Sequence, residues 1–286
     1  MVWAGCNAVH TILNYMKKTI ITKRSKQPGK KVAIVAGVHG NETVGCLLLD
    51  LIIEKVVPRK GTIHFIYGNP KGIEQNVRFT ETNLNRNFHR DNNNASYEEK
   101  RAHELMNIFD ECDAVLDLHA YNEPDLNPAT FAICEPLAFS VVRALPVPVV
   151  LSGFNEIQKG STNGYMEERE KIGIVLELGS VNNPGKYLGL AQTCVLNFLS
   201  YFDLIDSVGL LNHDQEYFKV AAVYRKNNEY FRFSKKYSSF DAVNTAEIVA
   251  TDGLCEIAIT EKSSILFPRE NTQIGGESFW LLTKTD

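Results

Sequence analysis

Residues 31–42 read KVAIVAGVHGNE, an apolar run that closes on Gly, His and Glu. A run apolar at nearly every position, without alternation, is a strand buried on both faces, as in a parallel sheet covered by helices. Val44–Ile53 (VGCLLLDLII) follows as a helix, and the same alternation continues down the chain. Gly61–Tyr67 (GTIHFIY) predicts a second strand, stopped by Gly68-Asn69-Pro70. Ser96–Asp110 predicts an amphipathic helix. Ser96 and Glu99 form a capping box, and Ala102, Leu105, Met106 and Phe109 recur at helical spacing. Further strands are predicted at Ala114–Leu118 (AVLDL), Thr130–Cys134, Val147–Leu151 and Gly173–Leu178 (GIVLEL), with a long helix over Tyr187–Leu204. Strands alternating with helices imply an α/β fold with a mixed, mostly parallel sheet flanked by helices.

After residue 206 the pattern changes to short β-type runs at Val220–Tyr224, Tyr230–Phe233, Glu247–Ala250, Leu254–Ile259 and Ser278–Leu282. The expected organisation is an N-terminal extension and first strand over 1–29, a catalytic α/β domain over 30–205 and a small C-terminal all-β domain over 206–286. The 286 residues agree with about two domains of roughly 150 residues each.

Composition removes several classes of function. Hydrophobic residues make up 44% and charged residues 22%, which is ordinary for a globular protein. A net charge of −4 gives no support to nucleic-acid binding. No stretch approaches the roughly 18 apolar residues of a membrane span, so neither a nucleic-acid nor a membrane partner is expected. Met1–Tyr15 is mildly apolar, but Lys17 and Lys18 follow it, the reverse of a secretory signal. Met16 reads as an alternative natural start, which would make residues 1–15 an extension. The six cysteines are widely spaced, with no C-x-x-C pair, and several lie in apolar runs. Free thiols and a cytoplasmic location are expected.

The chemistry lies at strand ends. His39 follows the first strand, His119 ends AVLDL and Glu177 lies at the end of GIVLEL. In open α/β sheets ligands bind outside the carboxyl ends of the strands. His39 and Glu42, three apart on a glycine-containing turn, can converge on one ion, and His119 can supply a third ligand. Catalytic zinc sites use three such ligands and keep a position for water. H-x-x-E alone is common, and a single His after a strand is usually structural. The conjunction of two His and two Glu at three strand ends is what favours a metal. Asp117, two residues before His119, points to the same side of its strand and could orient that ligand. His64, His89, His103 and His213 receive no role. Ser161–Tyr165 is a polar, glycine-containing segment that reads as a loop able to line a pocket.

Five ordered motifs, VAIVAGVHGNETVG (32–45), Asn69-Pro70, LNRNF (84–88), VLDLHA (115–120) and IVLELGS (174–180), resemble the succinylglutamate desuccinylase/aspartoacylase family. This family is a branch of the zinc carboxypeptidase-like fold. The resemblance covers residues 30–205, and the C-terminal region more loosely. It implies one Zn2+ per chain on His39, Glu42 and His119, with Glu177 as general base and proton shuttle. It implies that Asn85 and Arg86 grip a substrate carboxylate and that Arg78 polarises the scissile carbonyl. The activity implied is hydrolysis of a small N-acyl amino acid, with zinc-bound hydroxide as the nucleophile, and family analogy allows a homodimer. Three positions depart from the aspartoacylase pattern. Asn83 stands where an Asp is typical. An arginine some ten residues before the catalytic Glu is replaced by a Glu, with Arg169 shifted. The C-terminal tyrosine finds no match near Ile274-Gly275-Gly276. The acyl and amine halves of the substrate are therefore left open. A metallocarboxypeptidase acting on peptide C-termini, and a non-catalytic zinc-binding recognition protein, are the alternative readings.

Overall fold

The structure, a computed structural model, describes residues 19–124, 126–209 and 212–285. The Met1–Tyr15 reading, the alternative start at Met16 and Cys6 lie outside the described residues. The chain opens with β1 (Ile20–Arg24), β2 (Lys31–Ala36), α1 (Thr43–Ile52), β3 (Thr62–Tyr67) and α2 (Pro70–Gln75). It continues through α3 (Tyr97–Phe109), β4 (Ala114–Tyr121), β5 (Thr130–Cys134), α4 (Phe139–Val142) and β6 (Val149–Ser152). Next come α5 (Thr162–Glu167), β7 (Ile172–Ser180) and α6 (Leu188–Tyr201). The remaining elements are strands: β8 (Glu216–Arg225), β9 (Arg232–Phe233), β10 (Ala242–Val243), β11 (Ile248–Asp252), β12 (Cys255–Ala258), β13 (Ser263–Leu266) and β14 (Glu277–Thr285).

Among the described residues the main sheet has eleven strands in the order β1-β3-β2-β4-β7-β5-β6-β8-β14-β13-β10. Within residues 30–205 it is mostly parallel, with β5 running antiparallel to β7. Period-two alternation divides the core between its faces. Val32, Ile34, Leu116, Ile174 and Leu176 pack toward α1 and α6. Ala33, Val35 and Val115 pack toward α3, with Met106 and Phe109. Asp117 and His119 share the Val115 face of β4, so the polar groups of that strand emerge on the α3 side.

The C-terminal strands do two things. β9, β11 and β12 form a separate three-stranded sheet, while β8, β14, β13 and β10 extend the main sheet. The extension is possible because β6 leaves one edge open, and β8 pairs with it in parallel from Val149↔Glu216 to Ser152↔Lys219. Two helices depart from the sequence expectation. Asn69-Pro70 does not simply stop a strand: the Asn69 side chain accepts from the Gly72 N–H and caps α2, with Pro70 in its first turn. The segment 161–165 is not a loop: Ser161 caps α5 by accepting from the Gly164 N–H. Each is a single short turn, too short for apolar periodicity to show. The five cysteines among the described residues are free, and four are buried.

The segment 77–88, which carries Arg78, Asn85 and Arg86, has little regular structure and is held by one carboxylate. Glu98, fully buried on α3, accepts from the backbone N–H groups of Thr80, Glu81 and Thr82, from the Thr80 hydroxyl and from Asn69 Nδ2. Burial opposes ionisation of Glu98, but these donors outweigh it and hold its pKa below the ordinary 4.5. Glu98→Ala should cost about 2–4 kcal/mol, since several buried donors lose their acceptor. Urea unfolding measures this, and a loss within error of zero would contradict it. The depressed pKa also fixes a sign: the stabilisation is present above the unfolded pKa and is lost as pH falls through the folded one. Below about pH 4.5 the wild type should therefore lose stability more steeply than Glu98→Gln.

Candidate metal and catalytic site

Sheet register assembles the site. β2 lies beside β4, and β4 beside β7, with His119 directly opposite Glu177. Beyond β2 the chain turns through Gly37, whose φ of +65° disfavours any residue with a Cβ. The turn then carries His39 over to α2. A Cβ on Gly40 would lie 2.0 Å from the Gly72 carbonyl carbon, so only glycine permits this approach. Glu42 occupies the N-cap position of α1 yet makes no capping bond. Its carboxylate turns into the site instead.

There it becomes the hub. Oε1 lies 2.8 Å from His39 Nδ1 and accepts from Arg78 Nη1 at 3.0 Å. Oε2 lies 2.8 Å from His119 Nδ1 and accepts from the Ala120 N–H at 3.0 Å. The two imidazoles meet edge to face with centroids 4.9 Å apart. All three side chains are buried, and their ligand atoms lie within 4.8 Å of one another. Each ring is held from behind through its other nitrogen. His119 Nε2 sits 2.8 Å from Asp117 Oδ2, which also accepts from Thr162 Oγ1 at 2.6 Å. His39 Nε2 sits 3.1 Å from Asn83 Oδ1. That oxygen also accepts from the Asn85 N–H at 3.0 Å, which fixes the direction of the Asn83 amide. Both rings therefore present Nδ1 to the centre.

This donor set fits a transition-metal ion. Two imidazole nitrogens and one carboxylate converge, each ring has an outer acceptor, and nitrogens packed 2.8 Å from carboxylate oxygens require protons or a cation between them. Burial lowers the pKa of His39, and its pairing with Glu42 only partly offsets this. Burial would lower His119 too, but Asp117 and Glu42 reverse the sign and raise it well above its ordinary value. For Glu42, burial is overcome by the two histidines, and its pKa falls far below the usual range.

Glu177 is different. Its side chain reaches the cavity, its Oε2 is buried without a partner, and burial raises its pKa to about 8. His119 and Arg78 pull this value down, while Glu42 and Glu123 push it up. A cavity of about 310 Å3 opens in front of these groups. His39, Glu42, Arg78, Asn85, Arg86, His119 and Glu177 all line it, so the seven site residues expected from the sequence are brought together. Arg86 is largely buried, which lowers its pKa, with Glu277 offsetting in part. Asn85 Oδ1 accepts from the Thr162 N–H at 3.0 Å, tying the 77–88 segment to α5.

Sequence reasoning missed Thr162, Asn83 as the partner of His39, and the cavity wall from Phe154, Phe267, Arg269 and Trp280. The polar run at 161–165 was the one available signal for Thr162. His64 is held by Thr22 Oγ1 at 2.9 Å, and neither it nor the half-buried His89 lines the cavity.

Residues 28–199 match the family described as the succinylglutamate desuccinylase/aspartoacylase catalytic domain. Aspartoacylase of Danio rerio is 38% identical over 109 residues, covering 32% of this chain and 34% of that protein. The chain thus spans about a third of that relative's length in the match. Succinylglutamate desuccinylase of Vibrio cholerae is 26% identical over 296 residues, covering 93% of this chain and 84% of that protein. A solved structure of succinylglutamate desuccinylase from Vibrio cholerae superposes with a TM-score of 0.77 at 20% identity, covering 96% of this chain and 94% of that one. At that identity the structural likeness speaks for the fold.

For a metal ion held by His39, Glu42 and His119, Asp117→Asn should weaken binding about 10- to 100-fold, because His119 loses its charged outer partner. Competition against a chromophoric chelator measures this. Unchanged affinity would show that Asp117 does not support the ligand.

Proposed function

This chain belongs to the succinylglutamate desuccinylase/aspartoacylase family, and on that footing we propose that it is a zinc-dependent amidohydrolase that removes an N-acyl group from an amino acid or related small amine. The observation that carries the proposal is Glu177. A carboxyl group with a raised pKa and an unpartnered buried oxygen stands across one strand pair from His119, on the wall of the same cavity. A pure binding site has no use for such a group, whereas a hydrolase needs one to move a proton.

His39, Glu42 and His119 would hold the ion. Zinc in such a site supplies a Lewis acid and lowers the pKa of water bound to it to about 7. Glu177 takes the proton of the attacking water and later delivers it to the nitrogen of the leaving amine. This allows the C–N bond to break without expelling an amide anion. Arg78, placed beside Glu42, carries a fixed positive charge toward the carbonyl oxygen as that oxygen gains electron density. Asn85 and Arg86 hold the substrate carboxylate, Arg86 through its planar fork. The products are a free carboxylate and a free amine.

Glu177→Gln should lower kcat by at least about 100-fold, since general acid–base catalysis contributes roughly 10²–10⁴. Zinc affinity should stay within a few-fold of wild type. A variant that turns over at the wild-type rate would overturn the mechanism. Removal of the ion with a chelator should abolish hydrolysis, and added Zn2+ should restore it. Across a panel, N-acyl amino acids should be hydrolysed faster than blocked dipeptides; the opposite order would favour a carboxypeptidase.

A further inference from the structure

The cavity walls constrain what the substrate carries besides its amide. Resting on the deacylase reading above, we infer that the substrate bears one carboxylate and an apolar group rather than two carboxylates.

One wall of the cavity is apolar and partly aromatic. The Phe154 ring stacks on Trp280 with centroids 4.9 Å apart and planes 19° from parallel, and Ile133 and Val175 line the cavity beside them. These four side chains belong to a single packed cluster that Phe267 joins at its edge. Phe267 has a φ of +51°, a left-handed conformation that a bulky side chain adopts only at a cost. The surrounding fold imposes it, since the Phe267 N–H donates to Ser239 Oγ at 2.9 Å. An aromatic ring is thus held against the cavity in a conformation its own backbone disfavours.

The charges point the same way. Three guanidinium groups line the cavity, from Arg78, Arg86 and Arg269. Arg78 donates to Glu42. Arg269 is paired with Glu123 and lies 5.3 Å from the centre of the Phe267 ring. Arg86 forms no ion pair among the described residues; its Nη1 donates to the Asn85 carbonyl at 2.6 Å. One guanidinium is therefore left for one carboxylate. A second would lie near Glu123, which lines the cavity and whose Oε2 is buried without a donor. Burying a charge without a partner is strongly unfavourable. Arg169, the arginine that most closely precedes Glu177 in the sequence, is committed elsewhere. Its Nε donates to Asp110 at 3.1 Å, its guanidinium lies 3.5 Å from the Tyr165 ring centre, and it does not line the cavity.

The test compares zinc-loaded wild type on N-acetyl-L-leucine, N-acetyl-L-phenylalanine and N-octanoylglycine with N-acetyl-L-aspartate and N-succinyl-L-glutamate. At least one apolar substrate should exceed both dicarboxylates by about tenfold or more in kcat/KM, since even one methylene in an apolar pocket is worth roughly that much. Phe267→Asn, which suits a left-handed backbone but removes the ring, should lower this ratio. A second readout does not depend on turnover. The sequence has two tryptophans, Trp3 and Trp280. In a zinc-loaded Trp3→Phe, Glu177→Gln protein, the emission of Trp280 should respond to N-acetyl-L-leucine and not to N-acetyl-L-aspartate. If either dicarboxylate is hydrolysed as well as the apolar substrates, the inference is overturned and the deacylase reading stands. If nothing is hydrolysed but Trp280 responds to the apolar ligand, the inference about the cavity stands and the deacylase reading fails. No hydrolysis and no response would overturn both.

Discussion

A single buried carboxylate organises this protein. Glu42 is almost wholly removed from water and receives His39, His119, Arg78 and the Ala120 N–H on its two oxygens. Desolvating a carboxylate costs several kcal/mol unless partners of good geometry replace the lost water. Those partners come from the turn after β2, the segment after α2 and the end of β4, so the cluster forms only when these elements are in register. Placing Glu42 at the head of α1 without a capping role sacrifices a local bond for this long-range one. A site that costs so much in desolvation and local capping is one whose charge is used.

The same logic repeats one layer out. Glu98 does for the irregular 77–88 segment what Glu42 does for the strand ends, supplying acceptors where the chain has no regular partner. α5 then joins the two systems. Its Thr162 hydroxyl donates to Asp117, which backs His119, and its Thr162 N–H donates to Asn85, next to Arg86. The His39–Glu42–His119 cluster and the segment carrying Asn85 and Arg86 are thus coupled through one residue of a short helix. The far wall comes from the C-terminal strands, because pairing of β8 to β6 and of β14 to β8 carries Trp280 and Glu277 round to the cavity.

What could be read in advance follows from the range of the forces. β2, β3, β4, β5 and β7 were legible because both-face burial leaves continuous apolar runs, and the ligands were legible because they end those runs. The capping box at Ser96 is local, and it forms as written, with the Glu99 side chain returning to the Ser96 N–H. By contrast, nothing in the sequence around Glu98 distinguishes it from Glu104, the exposed acid of α3; its role depends on a loop that folds back onto it. α2 and α5 are too short for periodicity, and each is set by one capping side chain. β8, β9, β11, β12 and β14 were visible as β-type runs and β10 and β13 were not, and the division of these strands between two sheets depends on which edge is free. The expected seven site residues share one cavity, whereas nothing in the sequence marks Phe154 or Trp280 as cavity residues, because an aromatic residue facing a cavity has the same sequence signature as one facing another strand.

Asn83 shows how one atom changes such a site. The two imidazoles are backed unequally: His119 by the carboxylate of Asp117, His39 by a neutral amide oxygen. A carboxylate makes the ring it holds more basic and adds a negative charge; an amide orients the ring without adding charge. With Glu42 and Asp117 already present, a divalent cation at the three ligands would be balanced by the two carboxylates. A third carboxylate at position 83 would leave the centre net negative, and Arg78 would be needed to offset it. With Asn83 in place no such offset is required, and Arg78 stays beside Glu42. The cavity then faces its ligand with a nearly neutral centre, a guanidinium at Arg86 without an ion pair among the described residues, and an apolar wall. Those terms favour a substrate with a single negative end.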